Sequence, residues 1–177
     1  MKKNVLVFGS IAGIIASTFM FFSMWYIGCH GFEGSMLVGY ASMLMAFSLI
    51  FVAIKNYRDK YNNGVITFGK AFKMGLYIAL IGSTFYLITW AFEYHFLMPD
   101  FMERYSQHMI DQLTKSGATQ TVIDAQMVEM NNYKEMYKNP LFFALLTYME
   151  ILPVGLIVTL IAALILKRKI KVENHEA

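Results

Sequence analysis

Glu150 and Pro153 lie within one helical turn of each other in "TYMEILPVG", residues 147 to 155, inside the last long apolar run of the chain. Glu93 and His95 lie in "WAFEYHFLM", residues 90 to 98, at the end of the preceding apolar run. An ionised carboxylate in hydrocarbon is costly, so each glutamate must be neutral, paired, or facing a wet cavity. Acids placed this way can exchange a proton or hold a cation, with His95 as a third polar group. They can equally act as interhelical hydrogen-bond donors that only hold the helices together. Pro153 cannot donate to the carbonyl of Met149, which predicts a kink and leaves an acceptor that a protonated Glu150 could satisfy. Counted from Pro140, Glu150 sits about 15 Å into its helix, near mid-depth. Glu93 precedes Pro99 and lies about 9 Å below the outer surface, where interfacial water reaches it. The candidate polar site is therefore Glu150, Glu93, His95 and Pro153, with Glu150 leading.

What must position these groups follows from composition. Hydrophobic residues make up 57% of 177 and charged residues 15%, with a mean hydropathy of +0.47. A soluble domain of this size has no interior able to hide so much apolar surface, so the solvent implied is lipid. Four runs are long enough to span it as helices: residues 5–27, 36–54, 74–98 and 141–166. Only the third and fourth contain formal charges, Glu93 and Glu150. Small residues recur in them (Gly9, Gly13, Ala16, Gly39, Ala46, Gly75, Ala79 and Gly82), as close helix contact in membranes prefers.

Loop charges give the orientation. Lys2 and Lys3 precede the first span, Lys55, Arg58, Lys60, Lys70 and Lys73 separate spans two and three, and Lys167, Arg168, Lys169 and Lys171 follow the fourth. The first loop carries Glu33 and no Lys or Arg. Four crossings put all three basic clusters on one side, with both termini cytoplasmic. The alternative is a lipoprotein signal ending at "YIGC", with Cys29 as the lipidated residue. Tyr26 is bulky where that signal wants a small aliphatic residue, and the apolar run exceeds the 7–15 residues of a signal core. An uncleaved first span is the reading retained.

Residues 100–139, bracketed by Pro99 and Pro140, read as a helical hairpin outside the membrane. Asp100 and Glu103 have capping-box spacing, as do Thr121 and Asp124. Phe101, Tyr105, Met109 and Leu113 form one apolar stripe, Ile123, Met127, Met130 and Tyr137 a second, and Gly117 stops the first helix. These stripes pack on each other and on the span ends, or form a partner-binding face; a headgroup-surface role is disfavoured because the face is not basic. Gly64 and Gly69 suggest a turn leading to a short interfacial stretch. Cys29-His30 has no partner at metal-ligand spacing, and His108 and His175 read as solvent-exposed. A single cysteine excludes an intramolecular disulfide, and no phosphate loop, zinc motif or nucleophile elbow is present.

The segments "GYASMLMAFSLIFVAIKNYRDKYNNGVITFGKAFKMGL", "MPDFMERY" and "YKNPLFFALLTYMEILPVGLIVTLIAALILKRK" carry a family resemblance. The chain resembles small bacterial membrane proteins grouped as domain of unknown function 4199, nearly end to end and least over residues 1–35. The resemblance implies a four-helix membrane protein and no assigned activity. The expectation is an all-α, single-domain, four-span inner-membrane bundle with an outer helical hairpin. It needs no cofactor, metal or nucleic acid, and its partners are the bilayer and a second copy or another membrane protein. Ion- or proton-coupled transport at Glu150 leads; an accessory or scaffold role for the hairpin is the alternative, and an enzyme ranks last.

Overall fold

In a computed structural model that describes residues 1–32 and 36–168, the chain forms long helices joined by short loops. Glu33, Lys169, Lys171 and His175 lie outside the described residues. Helices α1 (Lys2–His30), α2 (Met36–Tyr61), α3 (Phe68–Phe92) and α6 (Pro140–Leu166) form a bundle. A π-helical turn, Glu93–Leu97, extends α3, and α4 (Phe101–Lys115) and α5 (Gln120–Lys138) make the hairpin. Among the described residues four helices are long and apolar enough to cross a membrane. They expose residues that a soluble bundle would bury, such as Phe22 at 61%, Ile88 at 64% and Ile165 at 65%. The fold is an all-α membrane four-helix bundle with a helical hairpin between its third and fourth spans.

Around the bundle the order is α1, α3, α6, α2, with α3 also reaching across to α2. Lipid tails are as apolar as leucine, so close packing has to hold the helices together. Gly9 and Gly13 of α1 meet Ile81 and Phe85 of α3, so the small-residue pair is a helix contact. Gly75 meets Thr159, and Gly155 meets Ala79. The ring of Phe47, wholly buried on α2, lies against both Gly82 of α3 and Gly155 of α6. Ile50, Ile54, Met74, Ile78 and Ile151 continue a closed core towards the basic end.

That end is tied by polar contacts. Asn4 donates to the Ala53 carbonyl at 2.8 Å, and Arg58 donates to the Leu166 carbonyl at 3.3 Å, placing a cation on the C-terminus of α6. Ile66 and Arg168 exchange backbone hydrogen bonds at 3.0 and 2.8 Å. Lys70 donates to Asn62 and lies 5.0 Å from the Tyr57 ring centroid. The described basic residues in the first turn of α1, towards the end of α2, at the start of α3 and after α6 thus gather at one end of the bundle.

Several local expectations are corrected. Gly69 is not in a turn: α3 begins at Phe68, capped by Thr67, whose side chain accepts from the Lys70 N–H at 3.4 Å. Asp100 precedes α4 without a side-chain capping bond, its backbone at φ −93, ψ 10 lying outside the extended geometry of a cap, and Glu103 pairs with Lys134 of α5. That pair holds the Glu103 carboxyl below its ordinary range. Thr119, not Thr121, precedes α5, and Asp124 accepts from Gln120. Met127 is exposed rather than part of the inward stripe. Gly117 does end α4: at φ +76 it lets Ala118 and Gly117 donate to Leu113 and Thr114, a Schellman closure. Asn139 caps α6, with Pro140 as its first residue.

A Cβ at Gly13 would come within 2.7 Å of the Phe85 Cβ, and one at Gly155 within 2.8 Å of the Ala79 Cβ. Gly13→Ala and Gly155→Ala should each cost about 1–3 kcal/mol of stability through overpacking. Gly39→Ala, which meets nothing within 4 Å, should cost nothing. Thermal unfolding in lipid nanodiscs checks this; equal melting temperatures for all three variants would refute the glycine contacts.

Candidate functional site: a roofed vestibule at Glu150

One turn beyond the Phe47 layer, towards the hairpin, the bundle opens. Ala16, Met20, Met43, Tyr86 and Glu150 line a cavity of about 680 Å³, and Phe32 with Phe101, Tyr105, His108 and Met109 of the hairpin side closes over it. A second cavity of about 600 Å³ shares Glu150, Tyr86, Met20 and Tyr105 and extends under α5 to Trp90, Met130 and Tyr137. The two form one vestibule with Glu150 on the wall common to both. The Glu150 carboxylate is open to this space, and its one hydrogen bond among the described residues is a long one, 3.3 Å from the Tyr86 hydroxyl. Elsewhere on the α3–α6 contact, the Thr84 and Tyr148 hydroxyls pair at 2.7 Å.

The roof is fastened by aromatic contacts at both edges. Trp90 meets Phe101 with centroids 4.9 Å apart, and Tyr137 bridges Tyr94 at 5.4 Å and Phe143 at 5.2 Å. On the far side Phe32 meets Phe101, Tyr105 and His108, each at about 5.5 Å. Burial pushes the Tyr105 and Tyr137 hydroxyls above their ordinary range, so both stay neutral hydrogen-bonding groups. The first hairpin stripe therefore faces the vestibule and the span ends.

No hydrogen bond joins Glu93, His95 and Glu150 to one another. Glu93 opens the π turn and is sealed from solvent at 1% exposure, so the expected contact with interfacial water is wrong. Neither of its carboxyl oxygens has a hydrogen-bond partner among the described residues. His95 turns outward, its Nδ1 on the Ala91 carbonyl at 2.8 Å, and bonds neither glutamate. Pro153 lies on an exposed face of α6, and the helix runs unbroken from Pro140 to Leu166. Glu150 pairs with Tyr86 rather than with the carbonyl Pro153 leaves free. Among the described residues no group of three or more His, Cys, Asp and Glu could hold a metal ion.

Sequence reasoning missed most of the lining. A usable signal was there: Met20 and Tyr86 each stand one turn outward from the small residues Ala16 and Gly82, so large side chains follow small ones on α1 and α3. The π turn left no such mark.

Fold and site together define a four-span membrane bundle with a roofed vestibule on the side away from its basic end. The chain belongs to the family described as protein of unknown function (DUF4199), which it matches over residues 7–168. No curated protein and no solved structure matches it.

A fully buried carboxylate without a partner would cost several kcal/mol, whereas the neutral acid costs far less. Glu93→Gln should therefore melt no lower than the wild type at neutral pH in nanodiscs. A loss exceeding about 2 kcal/mol would show that Glu93 is ionised and paired.

Proposed function

We propose that this is an inner-membrane binding and transport protein, both termini cytoplasmic, whose outward-facing vestibule takes up a solute or ion in exchange with a proton on Glu150. The observation that carries this reading is the setting of Glu150: a mid-helix acid, open to a half-open cavity, with one weak hydrogen-bond partner among the described residues. Intramembrane acids that face cavities mark ion and proton pathways. The other titratable groups facing the same space are Tyr26 from α1, Tyr86 from α3, Tyr105 and His108 from α4, and Glu129, Tyr133 and Tyr137 from α5. The described part of α2 adds none. Glu150 is the acid common to both cavities, which makes it the residue whose protonation would change occupancy. Towards the basic end the path is shut by Phe47, Ile50, Ile78 and Ile151, each fully buried. Transport would require that layer to part, with the described conformation as the outward-open member of an alternating pair. The orientation rests on the basic clusters at one end.

Proteoliposomes enclosing a pH-sensitive dye together with sodium, potassium and tetramethylammonium salts, which supply ions to leave in exchange for protons, test this directly. After an external acid pulse, wild-type protein should speed acidification of the lumen, Glu93→Gln should do the same, and Glu150→Gln should fall to the protein-free rate. Equal rates for wild type and Glu150→Gln would end the proton-coupled reading.

The second reading, an accessory protein that holds a partner on its hairpin, is favoured by Met127 and Val128, 42% and 61% exposed on α5. A photo-crosslinker at position 127 should then capture one defined membrane protein; labelling of lipid alone would count against it.

A further inference from the structure

We infer that the vestibule selects an amphipathic monovalent organic cation, held by charge at Glu150 and by aromatic and methionine side chains around its apolar part. This rests on the vestibule being the ligand site, as proposed above, and adds the chemical class of what enters it.

Charge complementarity is the first support. Among the described residues that line the two cavities there is no lysine and no arginine, while Glu150 lines both and Glu129 lines the second. An anion would meet an acid with no compensating cation and lose its hydration in a mostly apolar space. A cation would regain there part of the electrostatic stabilisation it leaves behind in water. The polar neighbours point the same way: the Tyr86 hydroxyl engages Glu150 at 3.3 Å, which leaves most of the carboxylate's acceptor capacity for a ligand.

The second support is the wall. Tyr86, Phe101 and Tyr105 present rings to both cavities, and Phe32 to the larger one. Ring faces attract cations, most strongly where water is excluded. Met20, Met24 and Met109 supply flexible, polarizable contacts that adapt to an irregular apolar body. A small inorganic cation would use none of these surfaces and would want several oxygen ligands at short range. The space, about 680 Å³ in the larger cavity, is that of an organic molecule.

The other charged or titratable groups facing Glu150 are those named above, with His108 the one side chain among them that can become positive. Protonation of Glu150 would remove the charge that selects the ligand, so cation and proton would compete.

The experiment compares tetraphenylphosphonium with tetraphenylborate, ions of nearly the same shape and opposite charge, on protein in phosphatidylcholine nanodiscs, with empty nanodiscs subtracted. The chain has two tryptophans, and Trp90 lines the second cavity, so Trp25→Phe leaves a reporter inside the vestibule. Tetraphenylphosphonium should quench Trp90 saturably, tetraphenylborate should not, and Glu150→Gln should weaken cation binding about tenfold or more. Glu150→Asp, which keeps the charge, should retain most of it. Equal binding of both ions, or cation binding untouched by Glu150→Gln in a folded variant, overturns the cation assignment. Cation binding without Glu150-dependent acidification of liposomes would leave this site standing and remove the transport reading. The converse result, acidification without cation binding, would do the opposite.

Discussion

The seating of Phe47 against Gly82 and Gly155 is the contact on which the rest of this molecule depends. A bundle in lipid has no hydrophobic driving force between its helices, so their spacing is set by how closely surfaces fit. Glycine at these two positions lets a full aromatic ring from α2 reach the α3 and α6 backbones at the bundle centre. Gly9 and Gly13 do the same for α1 against α3. The layer so formed is tight, and towards the basic end it is followed by further buried side chains with no polar group among the largest of them except Thr159.

The vestibule is the consequence of this layer on its other side. One turn outward from Ala16, Phe47 and Gly82, the side chains of Met20, Met43 and Tyr86 line the opening. Glu150 faces the opening at that level, where an acid can be solvated or find a ligand. Two residues nearer the tight layer, Leu152 has no cavity to face, and Ile151 is fully buried. The hairpin then partly roofs this opening. It does so through aromatic contacts at both rims, and the Glu103–Lys134 pair joining its two helices lies outside, exposed, where ion pairs contribute little.

How much of this was legible in the sequence depends on the range of the interaction involved. Span positions, the hairpin, the Gly117 stop and the Asn139-Pro140 start are set by local chemistry, and each could be read from neighbouring residues. The helices run past the apolar runs at their basic ends because Lys55, Arg58 and Lys70 are tolerated in terminal turns that hydropathy does not count. Capping-box spacing misled at Asp100 and Thr121 because the acid three residues on is engaged elsewhere, once across the hairpin and once within its own helix. Glu103 has a lysine on the opposite helix, and Asp124 a glutamine one turn before it. Glu150 could be singled out from depth alone. Its lack of a hydrogen bond to Glu93 or His95 could not, since that depends on the angular position of side chains after a departure from α-helical geometry.

That departure is the π turn at Glu93–Leu97, where the Met98 N–H donates to the Glu93 carbonyl at 2.8 Å across five residues. A π turn takes up one residue more than an α turn, and each residue advances an α-helix by about 100°. Everything beyond it is therefore rotated relative to a straight continuation of α3. With the turn in place, Glu93 is sealed inside, His95 faces out, and Met98 and Met102 are buried where the chain enters the roof. Without it the same residues would leave α3 on another face, and Phe101 would not meet Trp90. The two intramembrane acids thus differ in setting for separate reasons: Glu150 opens onto space created by the glycine layer, while Glu93 is enclosed by the turn that aims the roof over it.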